Sequence, residues 1–322
     1  MGKQVKWGVL GTADIAKKCT IPAMQKAKNC TLYGIAGRNP EKTDRFKGMF
    51  QFEKAFYSYE SMLEDEEVEA VYIALPNSMH KEWVLKAAEK GKHILCEKPI
   101  AGNAADVEEM VKACRDAGVI LMEAFAYLHS PASKIVKDAL DSGIIGTPTL
   151  IETTFVTPSP EADDIRMRKE TLGGAMYDLG CYNTSLILML VGEEPSEVRA
   201  VAHLTEAGID DTTVAYLEFP GGTRASILTG MCSGRRADRY YIYGTDGTME
   251  VPIPFNADGV LKFYVHRAKK SDTISVAVPD NYMLEIEQLG RCILHDEEPC
   301  VSNEFSIKNA RIIDRILACI GY

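Results

Sequence analysis

Three polar side chains interrupt apolar runs in this chain. Lys98 ends the run Ile94-Leu95-Cys96-Glu97-Lys98-Pro99, and Asp178 and Tyr182 lie in Met176-Tyr177-Asp178-Leu179-Gly180-Cys181-Tyr182. An ammonium, a phenol and a carboxylate can hold, polarise or exchange a proton. Lysine and tyrosine both titrate near ~10 in water. An ammonium beside the phenol would favour the phenolate, and burial would disfavour the ammonium, so each could be drawn toward neutral pH. That is where general acid–base catalysis works best. Each feature also has a plainer reading. Glu97-Lys98-Pro99 can be a solvated ion pair before a helix. Asp178 can be an acid in a solvent-facing first helical turn, where the helix dipole favours it.

The elements needed to position these groups are legible around them. Val5 to Leu10 reads as a buried strand, and Gly11-Thr12-Ala13-Asp14-Ile15-Ala16 as a tight turn opening a helix. This is the Gly-x-Gly-x-x-Gly/Ala pattern with its middle glycine replaced by Ala13. Small residues there let backbone N–H groups approach a pyrophosphate. Thr31 to Ala36 is a second strand, ending at Gly37-Arg38. A site for NAD places Asp or Glu near this strand end to accept from the ribose hydroxyls. Here Gly37 and Arg38 stand instead, and a guanidinium can grip a 2′-phosphate. The expected cofactor is therefore NADP(H) in preference to NAD(H), although Arg38 can also be read as a surface arginine before a helix.

Periodic segments alternate beyond this point. Helices are expected over residues 41–50, 80–89 and 103–117, and strands over 54–57, 70–75, 92–97 and 119–124. Strand–helix alternation over some 120 residues spells a doubly wound parallel sheet. In an open sheet of this kind ligands bind beyond the carboxyl ends of the strands, where Lys98 emerges. His80, at a helix start beyond one such end, is a candidate cofactor contact or a capping histidine.

After a helix over 131–142 and the break Gly143-Ile144-Ile145-Gly146-Thr147-Pro148, suited to a domain boundary, strands dominate: 149–156, 198–204, 212–219, 223–229 and 240–243. Pro220-Gly221-Gly222 is a hairpin signal. Set among them, Gly173-Gly174 precedes the helix carrying Asp178 and Tyr182, whose four-residue spacing puts them on one face. Arg166 and Arg168 precede that helix, as substrate contacts or as a solvated basic loop. Arg235, Arg236 and Asp238 have the same double reading. The tail from Asn303 to Cys319 is an amphipathic helix that packs back on the body.

Length and composition bound the answer. The chain has 322 residues, 46% of them hydrophobic and 25% charged, which suits two globular domains. A net charge of −10 without a Lys/Arg-rich run speaks against nucleic-acid binding. Nine scattered cysteines contain no Cys-x-x-Cys pair, and no metal-ligand cluster is visible. The amino terminus has no signal-peptide core, and no apolar run reaches the ~20 residues of a membrane span. A reduced cytoplasm is the expected compartment.

Five segments in order, Trp7 to Ala16, Tyr72 to His80, Glu97-Lys98-Pro99, Met122-Glu123-Ala124-Phe125 and Gly173 to Tyr182, resemble the glucose-fructose oxidoreductase / inositol dehydrogenase (Gfo/Idh/MocA) family. Within it the likeness is to the branch of dimeric dihydrodiol and NADP–xylose dehydrogenases. The resemblance implies a Rossmann domain over 1–124, an α+β substrate and oligomerisation domain with a large, mainly antiparallel sheet over 125–302, and a C-terminal helix over 303–322. It implies hydride transfer between nicotinamide and a carbinol or carbonyl carbon of a sugar, polyol or cyclic diol. Lys98, Tyr182 and Asp178 take the catalytic roles, with Tyr182 exchanging the proton, Lys98 polarising the oxygen and Asp178 orienting the pair, or with Lys98 and Tyr182 reversed. Gly11, Thr12, Ala13, Asp14, Ile15, Arg38, Leu75, Pro76, Asn77, His80, Glu97 and Lys98 are the residues expected to line the cofactor. Tyr127, Arg166, Arg168 and Tyr182 are substrate candidates. Where close relatives read Tyr-Arg-x-His-Pro, this chain has Tyr127-Leu128-His129-Ser130-Pro131, so substrate contacts there are not inherited. A homodimer or homotetramer through the second sheet is expected. The competing readings are a cofactor-binding regulator without turnover and a glycosidase that oxidises transiently with retained NAD.

Overall fold

The computed structural model describes residues 2–322. The chain divides into two compact units: residues 1–126 with 280–306, and residues 127–279 with 307–322.

The first unit is built on six parallel strands, β1 (Val5–Leu10), β2 (Cys30–Ala36), β3 (Lys54–Phe56), β4 (Ala70–Ile73), β5 (His93–Glu97) and β6 (Leu121–Ala124). Their spatial order is β3-β2-β1-β4-β5-β6. Helices cover both faces of such a sheet, so its strands read as continuous apolar runs instead of alternating ones. All four residues of β4 are buried. The helices between strands start where local chemistry demands. Asn39 caps the helix Pro40–Phe50 by accepting from Lys42 N–H at 3.0 Å, and Asn103 caps the helix Ala104–Asp116 through Asp106 N–H at 2.9 Å. The chain direction of the order reverses between β1 and β4, where Leu10 and Ile73 are register partners. That is the topological switch point at which doubly wound sheets bind ligands.

One helix of this unit comes from far along the chain. Residues 281–295, read from the sequence as part of the second domain, form a helix that packs on Ile21–Lys26. Lys26 Nζ bonds Asp280 at 2.8 Å, and Asn29 Nδ2 donates to the Glu287 carbonyl at 2.8 Å. Gly290 makes the approach possible, since a Cβ there would lie 2.4 Å from Asn29 Nδ2.

The second unit holds eight strands among the described residues: β7 (Pro148–Val156), β8 (Glu197–Leu204), β9 (Asp210–Glu218), β10 (Arg224–Gly230), β11 (Ala237–Gly244), β12 (Thr248–Pro252), β13 (Gly259–Arg267) and β14 (Lys270–Val278). The order is β14-β13-β12-β11-β7-β10-β9-β8, antiparallel except for the β7/β10 pair. The fold is thus a Rossmann sheet plus a large, mainly antiparallel one. The Gly143–Thr147 break lies inside this unit, joining the helix Pro131–Asp141 to β7, and does not separate domains.

One face of the second sheet is covered by the helix Cys181–Val191, which is apolar nearly all round and buried from Cys181 to Leu188. The sheet alternates accordingly: in β9, Thr213, Ala215 and Leu217 are buried while Val214 between them is 46% exposed. On the open face, register aligns Val201, Val214 and Leu228 in one row. Among the described residues no helix is long and apolar enough to cross a membrane, and no group of three or more His, Cys, Asp or Glu is arranged to hold a metal. All nine cysteines are free thiols.

Candidate active site

In the first unit the sequence-predicted cofactor residues fall on the carboxyl ends of β1, β2, β4 and β5. Gly11 has φ +103°, and a Cβ on it would sit 2.4 Å from the Ala74 carbonyl oxygen. Only glycine fits this turn. Ala13 is not among the residues with positive φ, which explains why the middle glycine can be replaced. The chain then enters a helix whose first full turn, Ala16–Thr20, is a π-turn, a local widening that recurs at functional sites. Thr12, Ala13 and Ile15 are partly exposed and Asp14 is exposed. Asp14 pairs with Lys18 at 2.7 Å, which holds its carboxyl below the usual range. The small-residue turn at a switch point fits a dinucleotide's pyrophosphate.

At the end of β2, Gly37 leaves no room for an acid, because a Cβ there would lie 2.4 Å from Thr43 Oγ1. Exposed Arg38 follows, beside the Tyr59 hydroxyl, whose pKa burial pushes up and Arg38 pulls down. Beyond β4, Leu75 is buried while Pro76 and Asn77 are partly exposed.

His80 has a different place from the one expected. It is fully buried, with Nδ1 2.9 Å from the Pro99 carbonyl and Nε2 2.9 Å from the Leu75 carbonyl. It therefore ties the loop after β4 to the loop after β5 from behind and does not present its ring to a ligand. Two carbonyl acceptors favour the imidazolium, but burial outweighs them and lowers its pKa. Glu97 is also turned inward, at 9% exposure. Its carboxylate accepts from the Tyr72 hydroxyl, which in turn accepts from Thr20 Oγ1 at 3.0 Å. Lys98 follows at the mouth of β5, partly exposed and joined to Pro99 by a cis peptide bond.

Behind Lys98 sits an acid to which the sequence reading gave no role. Glu123 on β6 is 2% exposed and accepts from Ile100 N–H at 3.0 Å. Burial pushes its pKa up to about 7, against the pull of the Ser306 hydroxyl, the Ile100 amide and the Lys98 charge.

In the second unit, Asp178 lies in another π-turn, Met176–Gly180, which leads into the helix carrying Tyr182. Asp210, fully buried on β9, caps the start of this turn: it accepts from Met176 N–H at 2.8 Å and from Thr213 Oγ1 at 2.7 Å. The cap reaches across 34 residues. It needs Gly174, whose φ is +105° and whose missing Cβ would lie 2.2 Å from Asp210 Oδ1. Burial raises the Asp210 pKa to about 6.

Arg166 stands with Asp178, Nε to Oδ2 at 2.9 Å, and also pairs with Asp164 at 3.2 Å. Its positive charge is held by Asp178 above all. Arg168 donates to the Asp163 carbonyl at 2.8 Å. The two expected substrate arginines are thus engaged with their own loop and with Asp178.

Tyr182 is 8% exposed within an aromatic cluster of Tyr127, Phe155 and Phe255, at ring-centroid distances of 5.8, 5.5 and 5.2 Å from it. Asn256 Nδ2 donates to its hydroxyl at 3.2 Å. Tyr127 is fully buried with its hydroxyl 2.8 Å from Ser185 Oγ, so it offers ring and not hydroxyl to its surroundings. Ser130, the departure after Tyr127, caps the helix Pro131–Asp141 through Ala132 N–H at 3.2 Å.

Residues 5–125 match the oxidoreductase family model with an NAD-binding Rossmann fold, and residues 134–250 match the GFO/IDH/MocA C-terminal domain. A D-xylose 1-dehydrogenase (NADP(+)) of Haloferax volcanii is 31% identical over 96% of this chain and 95% of its own length. A trans-1,2-dihydrobenzene-1,2-diol dehydrogenase of Xenopus laevis is 31% identical over 98% of each chain. The crystal structure of a 3-ketoreductase from Actinomadura kijaniata with NADP and TDP-benzene superposes with a TM-score of 0.94, at 27% identity over 99% of this chain and 98% of that one. Matched in both halves and alignable end to end with such enzymes, the chain belongs to the GFO/IDH/MocA family and is an NAD(P)-dependent oxidoreductase.

Proposed function

We propose that the chain transfers hydride between NADP(H) and a carbinol or carbonyl carbon of a sugar, polyol or cyclic diol. The observation that carries this reading is the place of Lys98, at the carboxyl end of β5, with only β4 between that strand and the β1 strand that leads into the glycine turn at the switch point. Relatives named for xylose and for a cyclic diol support the substrate class.

Gly11 to Ile15 would hold the pyrophosphate, Arg38 the 2′-phosphate, and Leu75, Pro76 and Asn77 the flank of the cofactor. The close approach of Thr43 to Gly37 supports NADP, because a carboxylate side chain has no room there to meet a ribose hydroxyl. When bound, the nicotinamide supplies the hydride donor or acceptor.

The protein's own task is the proton. Tyr182 takes the hydroxyl proton as the carbinol is oxidised and returns it on reduction. Lys98 polarises the same oxygen by its charge, and Asp178, fixed by Arg166, orients the group that exchanges the proton. His80 and Glu97 keep the loops flanking Lys98 in place without touching substrate.

The test is anaerobic incubation with NADP⁺ or NAD⁺ and a panel of aldoses, polyols and cyclic diols, read at the NADPH absorbance. Reduction of NADP⁺ by at least one panel member, faster than of NAD⁺, is the expected result. Tight retention of NAD without net reduction would contradict it. We further propose assembly as a homodimer or homotetramer through the open face of the second sheet, supported by the row of Val201, Val214 and Leu228, exposed by 70, 46 and 39%. Light scattering after gel filtration would show a monomer if this is wrong.

A further inference from the structure

The connection between β12 and β13 is held far more firmly than an exposed loop requires. Ile253 and Asn256 have φ of 52° and 54°. Asparagine tolerates this left-handed region, but a β-branched residue rarely enters it. Ile253 is 55% exposed, so burial does not compensate. Such a backbone persists where its surroundings over-determine it.

An ion pair is central to those surroundings. Asp238 on β11 is 7% exposed and is gripped by Arg236 through Nε and Nη2, at 2.9 and 3.1 Å. The Asp238 carbonyl accepts from Ile253 N–H at 2.9 Å, and its Oδ2 accepts from Phe255 N–H at 3.2 Å. Arg236 Nη2 donates to the Phe255 carbonyl at 2.7 Å, while its guanidinium lies 4.9 Å from the Phe155 ring centroid. Both backbone groups of Phe255 are therefore committed to the pair. The next residue is Asn256, whose Nδ2 donates to the Tyr182 hydroxyl.

We propose that Asn256 is a positioning residue for Tyr182: its amide donates to the phenolic oxygen and turns the phenol's own proton away from the loop, with the Arg236–Asp238 pair holding Asn256 to that task. An amide NH₂ group only donates, so Tyr182 cannot direct its proton at Nδ2. Within aromatic walls such a bond is stronger than in water, and it favours the phenolate, the form of Tyr182 that can take up the substrate's proton. This deepens the proposed function and rests on its assignment of proton exchange to Tyr182.

Asn256→Asp tests it, because the substitution keeps the shape and the tolerance of positive φ while replacing the donor with an acceptor. The protein is labelled with [¹³Cζ]tyrosine, and the Tyr182 signal is identified by its loss in Tyr182→Phe. In Asn256→Asp the titration of that signal should move up by about one pH unit or more. The ascending limb of the kcat profile for oxidation should move with it, and kcat at neutral pH should fall about tenfold with KM little changed. Asn256→Gly, which removes the donor and accommodates the backbone, should shift both in the same direction by less. An unmoved titration and profile in both variants, beside a Tyr182→Phe enzyme that has lost turnover, would overturn this inference alone. Full turnover in Tyr182→Phe would overturn the role of Tyr182 and this inference together.

Discussion

Replacing Glu123 by Gln should change how stability depends on pH, and the size of the change follows from the fold. Glu123 is 2% exposed on β6, and burial raises its pKa from an ordinary 4.5 to about 7. The folded state then binds this proton more tightly than the unfolded chain does. Stability is lost as pH rises from about 4.5 to about 7, the reverse of a salt-bridged carboxylate, and stays level above that window. Each unit of pKa difference corresponds to ~1.4 kcal/mol, so the loss accumulated between pH 5 and pH 8 is roughly 2–3 kcal/mol. Gln has no such proton, yet its amide oxygen can still accept from Ile100 N–H. The unfolding free energy of Glu123→Gln, measured by urea denaturation, should therefore gain roughly 2–3 kcal/mol on the parent between pH 5 and pH 8. Taking the difference between the two proteins cancels the titrating groups that do not interact with Glu123. A constant difference across that range would refute the reasoning, and so would one that shrinks with pH.

Three more outcomes follow from single positions. Gly11→Ala places a Cβ 2.4 Å from the Ala74 carbonyl at φ +103°; it should lower the unfolding free energy by at least ~1–2 kcal/mol and weaken NADP⁺ binding in calorimetry by more than about tenfold, and parent-like values in both would be inconsistent with the cradle. Arg38→Ala should weaken NADPH binding by about 10–100-fold while leaving NADH binding within about twofold; equal losses for both cofactors would count against the 2′-phosphate role. Asp210→Ala removes the bonds to Met176 and Thr213 and should cost ~1–3 kcal/mol in denaturant unfolding, whereas Asp210→Asn, which keeps an acceptor, should cost much less; equal costs would show that the cap is not what Asp210 contributes.

What could be read from the sequence was local. The glycine turn, the buried strand before it and the missing acid at Gly37 declare themselves within a few residues, since each is a backbone or size requirement. Lys98 was legible for the same reason, as a charge at the end of a greasy strand. His80 and Glu97 were visible as types but not as roles, because the carbonyls of Leu75 and Pro99 and the hydroxyl of Tyr72 that engage them are set by tertiary packing. Strands β12 to β14 escaped because their burial is patchy: Thr248–Pro252 is only five residues, and Gly259–Arg267 and Lys270–Val278 each bury only two residues. Asp210 and Asn256 carried no periodic signal at all. Their partners lie 34 and 74 residues away, and only the folded second sheet brings them to the helix of Asp178 and Tyr182. Arg236 and Asp238 looked like solvated charges until the β12–β13 loop was seen to hang from them.

The central claim is that Lys98 acts on the reacting oxygen and not chiefly on the cofactor. Lys98→Met keeps most of the length of the side chain and removes its charge. With the substrate found in the panel, turnover should fall by about 10²–10⁴-fold, while NADPH binding, followed by fluorescence titration, should stay within about threefold of the parent. Retained turnover, or turnover lost only because NADPH no longer binds, would contradict the account.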